Sequence, residues 1–177
     1  MVERVPLGER LTLYFDGSCQ HNRDVTSDTP AGWGLVVVRG DAGVGRGDGE
    51  VIEEHSGRVI TDSEEVGWLG AEVGSNNTAE LTALAHTLRW LLTEGGGAAV
   101  TLRGDSKYAL NIASGAWRAK ANRELAARVQ MLWTEVSAFS PATIRSCCPA
   151  WPLPNISIFR CGATPEKTIS NKRLSER

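Results

Sequence analysis

The apolar pattern of this chain changes period once, and that change limits the folds open to it. Up to about residue 60 the period is that of strands. Leu11, Leu13 and Phe15 alternate with Thr12, Tyr14 and Asp16, which predicts a half-buried strand. Asp16-Gly17-Ser18 follows with turn chemistry, and Asp24 to Pro30 is polar enough to read as a loop. GWGLVVV (32–38) and VIEEHSGRVI (51–60) predict two further strands, joined by a glycine-rich stretch (40–49) that suits a flexible hairpin connection. Three strands linked in this way form an antiparallel meander.

The next segment is helical. Leu81, Leu84, Ala85, Leu88, Leu91 and Leu92 recur at helical spacing, and the helix is expected to stop at Gly95-Gly96-Gly97. Asn77 precedes Glu80 by three residues, resembling a capping box. AAVTL (98–102) then predicts a short strand, and a strand reached through a helix implies a crossover and parallel pairing. Asp105 falls at the end of that strand, where it could cap a short helix over 106–113. A further amphipathic helix is predicted over about 122–138, with Leu125, Val129, Leu132, Trp133 and Val136 on one face. From Pro141 onward five of the seven prolines occur but only one of the nineteen glycines, and no helical period survives. No element is assigned to that tail.

The net charge of -2 provides no global basic field, so a nucleic-acid partner would have to be met by a local patch. No apolar run approaches the roughly 20 residues that span a membrane. Met1 to Arg10 carries charges and no apolar signal core, which leads us to expect an intracellular protein, in cytoplasm or nucleus, with no membrane partner. Cys19, Cys147, Cys148 and Cys161 match no zinc-ligand spacing and are read as reduced thiols.

Three carboxylates occupy telling places: Asp16 at the end of the first strand, Glu80 in the first turn of the first helix, and Asp105 at the end of the fourth strand. If strands and helix are neighbours, the three can converge. Clustered carboxylates repel unless a cation holds them. An all-oxygen ligand set suits Mg²⁺ or Mn²⁺, and such a site can carry two-metal phosphoryl transfer. Each residue also has a plainer reading, since Glu80 can complete a capping box, Asp105 can cap a helix, and Asp16 can belong to a turn.

The combination resembles a known family. DGSC (16–19), GWG (32–34), SNNTAEL (75–81) and GDSKYAL (104–110) are similar, in order and in placement, to the motifs of type 1 ribonuclease H over about Leu11 to Ile144. The resemblance implies an RNase H-like α/β fold: a mixed five-stranded sheet, an antiparallel meander followed by parallel strands, flanked by helices and incomplete at its C-terminal end. It divides the chain into an N-terminal extension (1–10), the RNase H-like domain (11–145) and a divergent tail (146–177), for which disorder is one reading. It implies a metal-dependent endonuclease that cleaves the RNA strand of RNA–DNA hybrids with Mg²⁺ or Mn²⁺. Asp16, Glu80 and Asp105 would be its catalytic and metal-binding carboxylates, with Asp16 bridging two metals. Asn76 and Asn77 match positions that reach the hybrid's minor groove, and Ser75 a position that contacts a DNA phosphate. Cys19 and Asn22 fall near further backbone-contact positions. Trp117 resembles the aromatic that follows the helix after the third carboxylate, and it can equally be a core tryptophan.

The tail departs from the pattern. The family continues into a histidine-bearing glycine loop and a last helix with a fourth catalytic aspartate, whereas residues 145–177 contain neither aspartate nor histidine. The resemblance therefore leaves a second expectation beside the first: a catalytically impaired module that binds hybrid or other nucleic acid, its second metal position weakened. A related polynucleotidyl transferase such as an integrase fits less well, because SNNTAEL and GDSKY resemble the hybrid nuclease. A past fusion to a reverse transcriptase is left open, as is the oligomeric state.

Overall fold

The computed structural model describes residues 10–40, 49–139 and 158–159. The first strand, β1 (Arg10–Cys19), lies between two neighbours. On one side it pairs antiparallel with β2 (Ala31–Arg39), which pairs antiparallel with the edge strand β3 (Glu50–Arg58). On the other side it pairs in parallel with β4 (Ala99–Arg103). The meander and the parallel crossover expected from the sequence are both present. Two residues, β5 (Ile158–Phe159), lie parallel to β4 opposite Leu102 and Arg103. Four strands thus carry the sheet, and β5 is only a short addition. Residues 41–48 of the glycine-rich connection (40–49), and the divergent tail (146–177) apart from β5, lie outside the described residues.

Helix α1 (Asn76–Thr93) packs on β1 and β2 through the stripe that its period predicts: Leu81, Leu84, Ala85, Leu88 and Leu91 are buried against Leu11, Leu13, Phe15, Leu35 and Val37. Helices α2 (Lys107–Ala113) and α3 (Arg123–Phe139) pack on α1 and on each other. On α3 the five apolar residues named from the sequence are all buried. Removing a whole leucine or valine side chain from such a cluster costs about 2–5 kcal/mol, because the cavity relaxes only in part.

Three local expectations are corrected. Residues 16–18 are not a turn: β1 runs through them, with Asp16, Gly17 and Ser18 opposite Gly34, Trp33 and Gly32. Glycine is needed at 17 because α1 crosses directly above it. A Cβ there would lie 2.2 Å from both Ala79 C and Glu80 N. The cap of α1 is Ser75, whose hydroxyl accepts from Thr78 N at 3.1 Å, so Asn76 and Asn77 are already helical and Glu80 lies in the second turn. The cap of α2 is Ser106, whose hydroxyl accepts from Ala109 N at 3.0 Å, and not Asp105.

Candidate active site

Parallel register is what brings the distant acids together. Tyr14 pairs with Arg103 at the end of the β1–β4 ladder. Asp16 and Asp105 each lie two residues beyond that pair, so both stand just past the end of the β1–β4 ladder, Asp16 still paired with β2 opposite Gly34. The contact of Gly17 with the α1 backbone at Ala79 and Glu80 sets Glu80 above the same end. Asp16 and Asp105 are exposed, while Glu80 is half-buried.

The Glu80 carboxylate is held from two sides. Asn76 Nδ2 donates to one oxygen at 2.8 Å, and Ser106 Oγ donates to the other. Burial pushes the Glu80 carboxyl above the usual carboxylate range, with smaller upward pushes from the charges of Asp105 and Asp16. The two hydrogen bonds oppose that rise. The three acids therefore share one electrostatic neighbourhood. Asp16 Oδ1 accepts from Gly17 N at 2.8 Å. As the side chains stand, no three His, Cys, Asp or Glu residues among those described are gathered tightly enough to hold an ion. Two exposed carboxylates around a half-buried one fit a hard divalent cation in donor chemistry, while hydrogen bonds satisfy Glu80 here.

The predicted nucleic-acid contacts gather partly. Ser75, Asn76 and Asn77 form the start of α1, with Asn77 exposed. Asn22 joins them, its Oδ1 accepting from Asn76 N at 3.3 Å. The loop that carries Asn22 is docked by Gly74, whose N donates to Thr26 O at 2.9 Å and which has no room for a Cβ beside Thr29 O. Cys19 is directed elsewhere, its thiol donating to His21 O within its own loop.

A groove of about 660 Å³ adjoins the start of α1, lined among others by Ser75, Asn77, Tyr108, Trp117, Lys120 and Asn122. Trp117 is 48% exposed, which rules out the core reading of that residue. Asn122 is 5% exposed and adopts a left-handed backbone (φ 52°). Its Oδ1 accepts from Glu72 N and Val73 N, at 2.7 and 3.3 Å, and its Nδ2 donates to Thr78 Oγ1 at 3.0 Å. The start of α3 is thereby tied to the start of α1. Only one sign of Asn122 was available in the sequence, an asparagine just ahead of an amphipathic run. For Ser106 the only sign was its position beside Asp105.

No helix among the described residues is long and apolar enough to cross a membrane. The family model for RNase H matches residues 8–145, and no curated protein matches the sequence. Among solved structures the chain is similar to RNase H1 from the halophilic archaeon Halobacterium salinarum, at 23% identity over 86% of this chain and 85% of that one, with a TM-score of 0.51. LC9-RNase H1, a type 1 RNase H with the type 2 active-site motif, is 17% identical over 91% of this chain and 67% of that one, with a TM-score of 0.52. The protease–reverse transcriptase of prototype foamy virus is 16% identical over 97% of this chain and 19% of that one, with a TM-score of 0.53. At these identities the structural likeness establishes the fold.

Proposed function

Because the chain belongs to the RNase H family, we propose that it hydrolyses the RNA strand of RNA–DNA hybrids, with Mg²⁺ or Mn²⁺ held by Asp16, Glu80 and Asp105. The observation that carries this reading is the shared end of the β1–β4 ladder: two exposed aspartates stand together just past its last pair, and a half-buried glutamate within reach of both charges sits above them. When bound there, divalent ions would activate the attacking water and stabilise the leaving 3′-oxygen.

The chain's own groups do the rest. Asp16 would help hold the divalent ions together with Glu80 and Asp105. The amides of Asn76 and Asn77 can both donate and accept, which suits the minor groove of a hybrid. Ser75 and Asn22, beside the start of α1, serve the nucleic-acid backbone, and Cys19, at the end of β1, would have to turn its thiol from His21 O to join them. Trp117 and Lys120 supply a stacking face and a cation in the adjoining groove. The 2′-hydroxyl is the group by which such a surface distinguishes RNA from DNA. Likeness to a segment of a viral protease–reverse transcriptase is compatible with a past fusion of that kind.

A second reading, a hybrid-binding module with little turnover, is favoured by one observation: residues 145–177 hold no aspartate or histidine to supply the family's last motif. The deciding experiment is single-turnover cleavage of a labelled hybrid, run beside hybrid binding and Mn²⁺ calorimetry, for the unmodified chain and Asp16→Asn. Cleavage and Mn²⁺ binding that both fall in the variant support the nuclease. Tight hybrid binding with negligible cleavage supports the binding module. Unchanged Mn²⁺ affinity in Asp16→Asn, or equal affinity for hybrid and duplex DNA in the unmodified chain, defeats the proposed site or substrate.

A further inference from the structure

Beyond the three carboxylates, the geometry points to Ser106 as a positioning residue that holds the Glu80 carboxylate above the shared end of the β1–β4 ladder. This inference rests on the metal-site reading above. A serine hydroxyl has one proton to donate and two lone pairs to accept with. In Ser106 one lone pair is taken by Ala109 N–H, which can only donate. Its other partner is a Glu80 carboxylate oxygen, which when ionised can only accept. The Ser106 proton is therefore committed to Glu80, and one hydroxyl both caps α2 and fixes the carboxylate.

The placement gives this bond a different task from that of Asn76 on the opposite oxygen. Ser106 is 6% exposed, so water competes poorly for its hydroxyl. It follows Asp105 directly in the chain and so links the acid of α1 to the strand end that bears the third acid. Asp105 and Asp16 both repel Glu80. Without a fixed donor on the inner side, that repulsion would drive the carboxylate toward solvent and away from the other two. Asn76 holds the opposite oxygen, but it is more exposed than Ser106 and stands at the face proposed to meet the hybrid. Partners of this kind, one shell out from a metal ligand, typically contribute 10- to 100-fold in metal affinity or activity.

The two duties of Ser106 separate by substitution. Glycine at a cap position keeps most of the cap's stability but has no hydroxyl, alanine loses both, and threonine keeps both. The test is Mn²⁺ calorimetry, hybrid-cleavage kinetics and melting on the full chain for Ser106→Gly, Ser106→Ala, Ser106→Thr and Glu80→Gln. Val129→Ala serves as a control that loosens the core on α3, which bears none of the three acids. We expect Ser106→Gly to bind Mn²⁺ about 10-fold more weakly, to lose kcat by a similar factor with little change in KM for hybrid, and to melt close to the unmodified chain. Ser106→Thr should restore both properties. Mn²⁺ affinity and kcat within twofold of normal in Ser106→Gly, while Glu80→Gln loses Mn²⁺, would overturn the role of Ser106 and leave the metal site standing. An equal Mn²⁺ loss in Val129→Ala would reduce the effect to general destabilisation and overturn it too. Unchanged Mn²⁺ binding in Glu80→Gln would remove the metal site, and the role of Ser106 with it.

Discussion

Gly17→Ala is the smallest change that should damage fold and site at once. The added methyl would meet backbone on the α1 side: Ala79 C and Glu80 N at 2.2 Å and Ala79 O at 2.7 Å. None of these atoms can rotate away as a side-chain tip would. Relief to an ordinary contact near 3.4 Å requires the helix and strand to separate by about 1.2 Å. Both partners belong to the core, with Leu13 and Phe15 on β1 and Ala79 and Leu81 on α1 all buried. Forcing one extra methylene into such packing costs about 1–3 kcal/mol, and a clash confined to backbone belongs at the upper end. The same shift moves Glu80 relative to Asp16, and a misplacement of about 1 Å can cost on the order of 10²-fold in rate. Urea unfolding would give the stability and single-turnover cleavage the rate. A Gly17→Ala chain with an unchanged urea midpoint and full activity would show that α1 does not rest on β1 at this point, and the account of how Glu80 is placed would fall.

Three further outcomes are expected. Ser75→Ala should lose about 1 kcal/mol because it removes the true cap, whereas Asn77→Ala should stay within about 0.5 kcal/mol; equal losses in urea unfolding would restore Asn77 as the cap. Burial, with help from the charges of Arg89 and His55, lowers the pKa of His86 to about 4 from 6.5. The unfolded chain therefore binds the extra proton first. His86 leaves stability intact above about pH 6.5 and withdraws it as pH falls toward 4, by ~1–2 kcal/mol once its partial exposure is allowed for. His86→Phe, which can keep the stack on Trp33, should lose that part of the pH dependence between pH 7 and 4.5, and an identical slope in both proteins would refute the assignment. Trp117→Ala should leave the melting temperature nearly unchanged but weaken hybrid binding about 10-fold, the value of one stacked base; a large fall in melting temperature with unaltered binding would return Trp117 to a structural role.

Periodicity made the framework legible. Leu11, Leu13 and Phe15 carried a period of two and the leucines of α1 a helical one, because burial on one face leaves that mark whatever the partner. The crossover to β4 followed from the order of elements. Function-bearing details were less legible where one residue type serves two ends. Gly17 looks the same in a turn and beneath a helix, and only the position of α1 separates the two. Ser75, Asn76 and Asn77 are three adjacent cap formers; the choice fell to Ser75, whose hydroxyl also meets Thr78 Oγ1, itself held by Asn122. Asp105 and Ser106 posed the same choice, and only the serine can accept from Ala109 and donate to Glu80 together. The exposure of Trp117 depends on where the segment after α2 runs, which no local pattern records.

The Asn122 side chain has a consequence for how the molecule opens. Through one amide it joins the backbone at Glu72 and Val73, the hydroxyl of Thr78, and the chain entering α3; Leu125 N donates to Gly70 O alongside it. Segments far apart in sequence therefore cannot fray independently. The amides of Glu72, Val73, Thr78 and Leu125 should exchange their hydrogens as one cooperative unit, with a common opening free energy and a common response to denaturant. Asn122→Ala should break that unit into a labile 70–75 segment and two helix ends that exchange at separate rates, while the amides of β1 and β2 keep their protection.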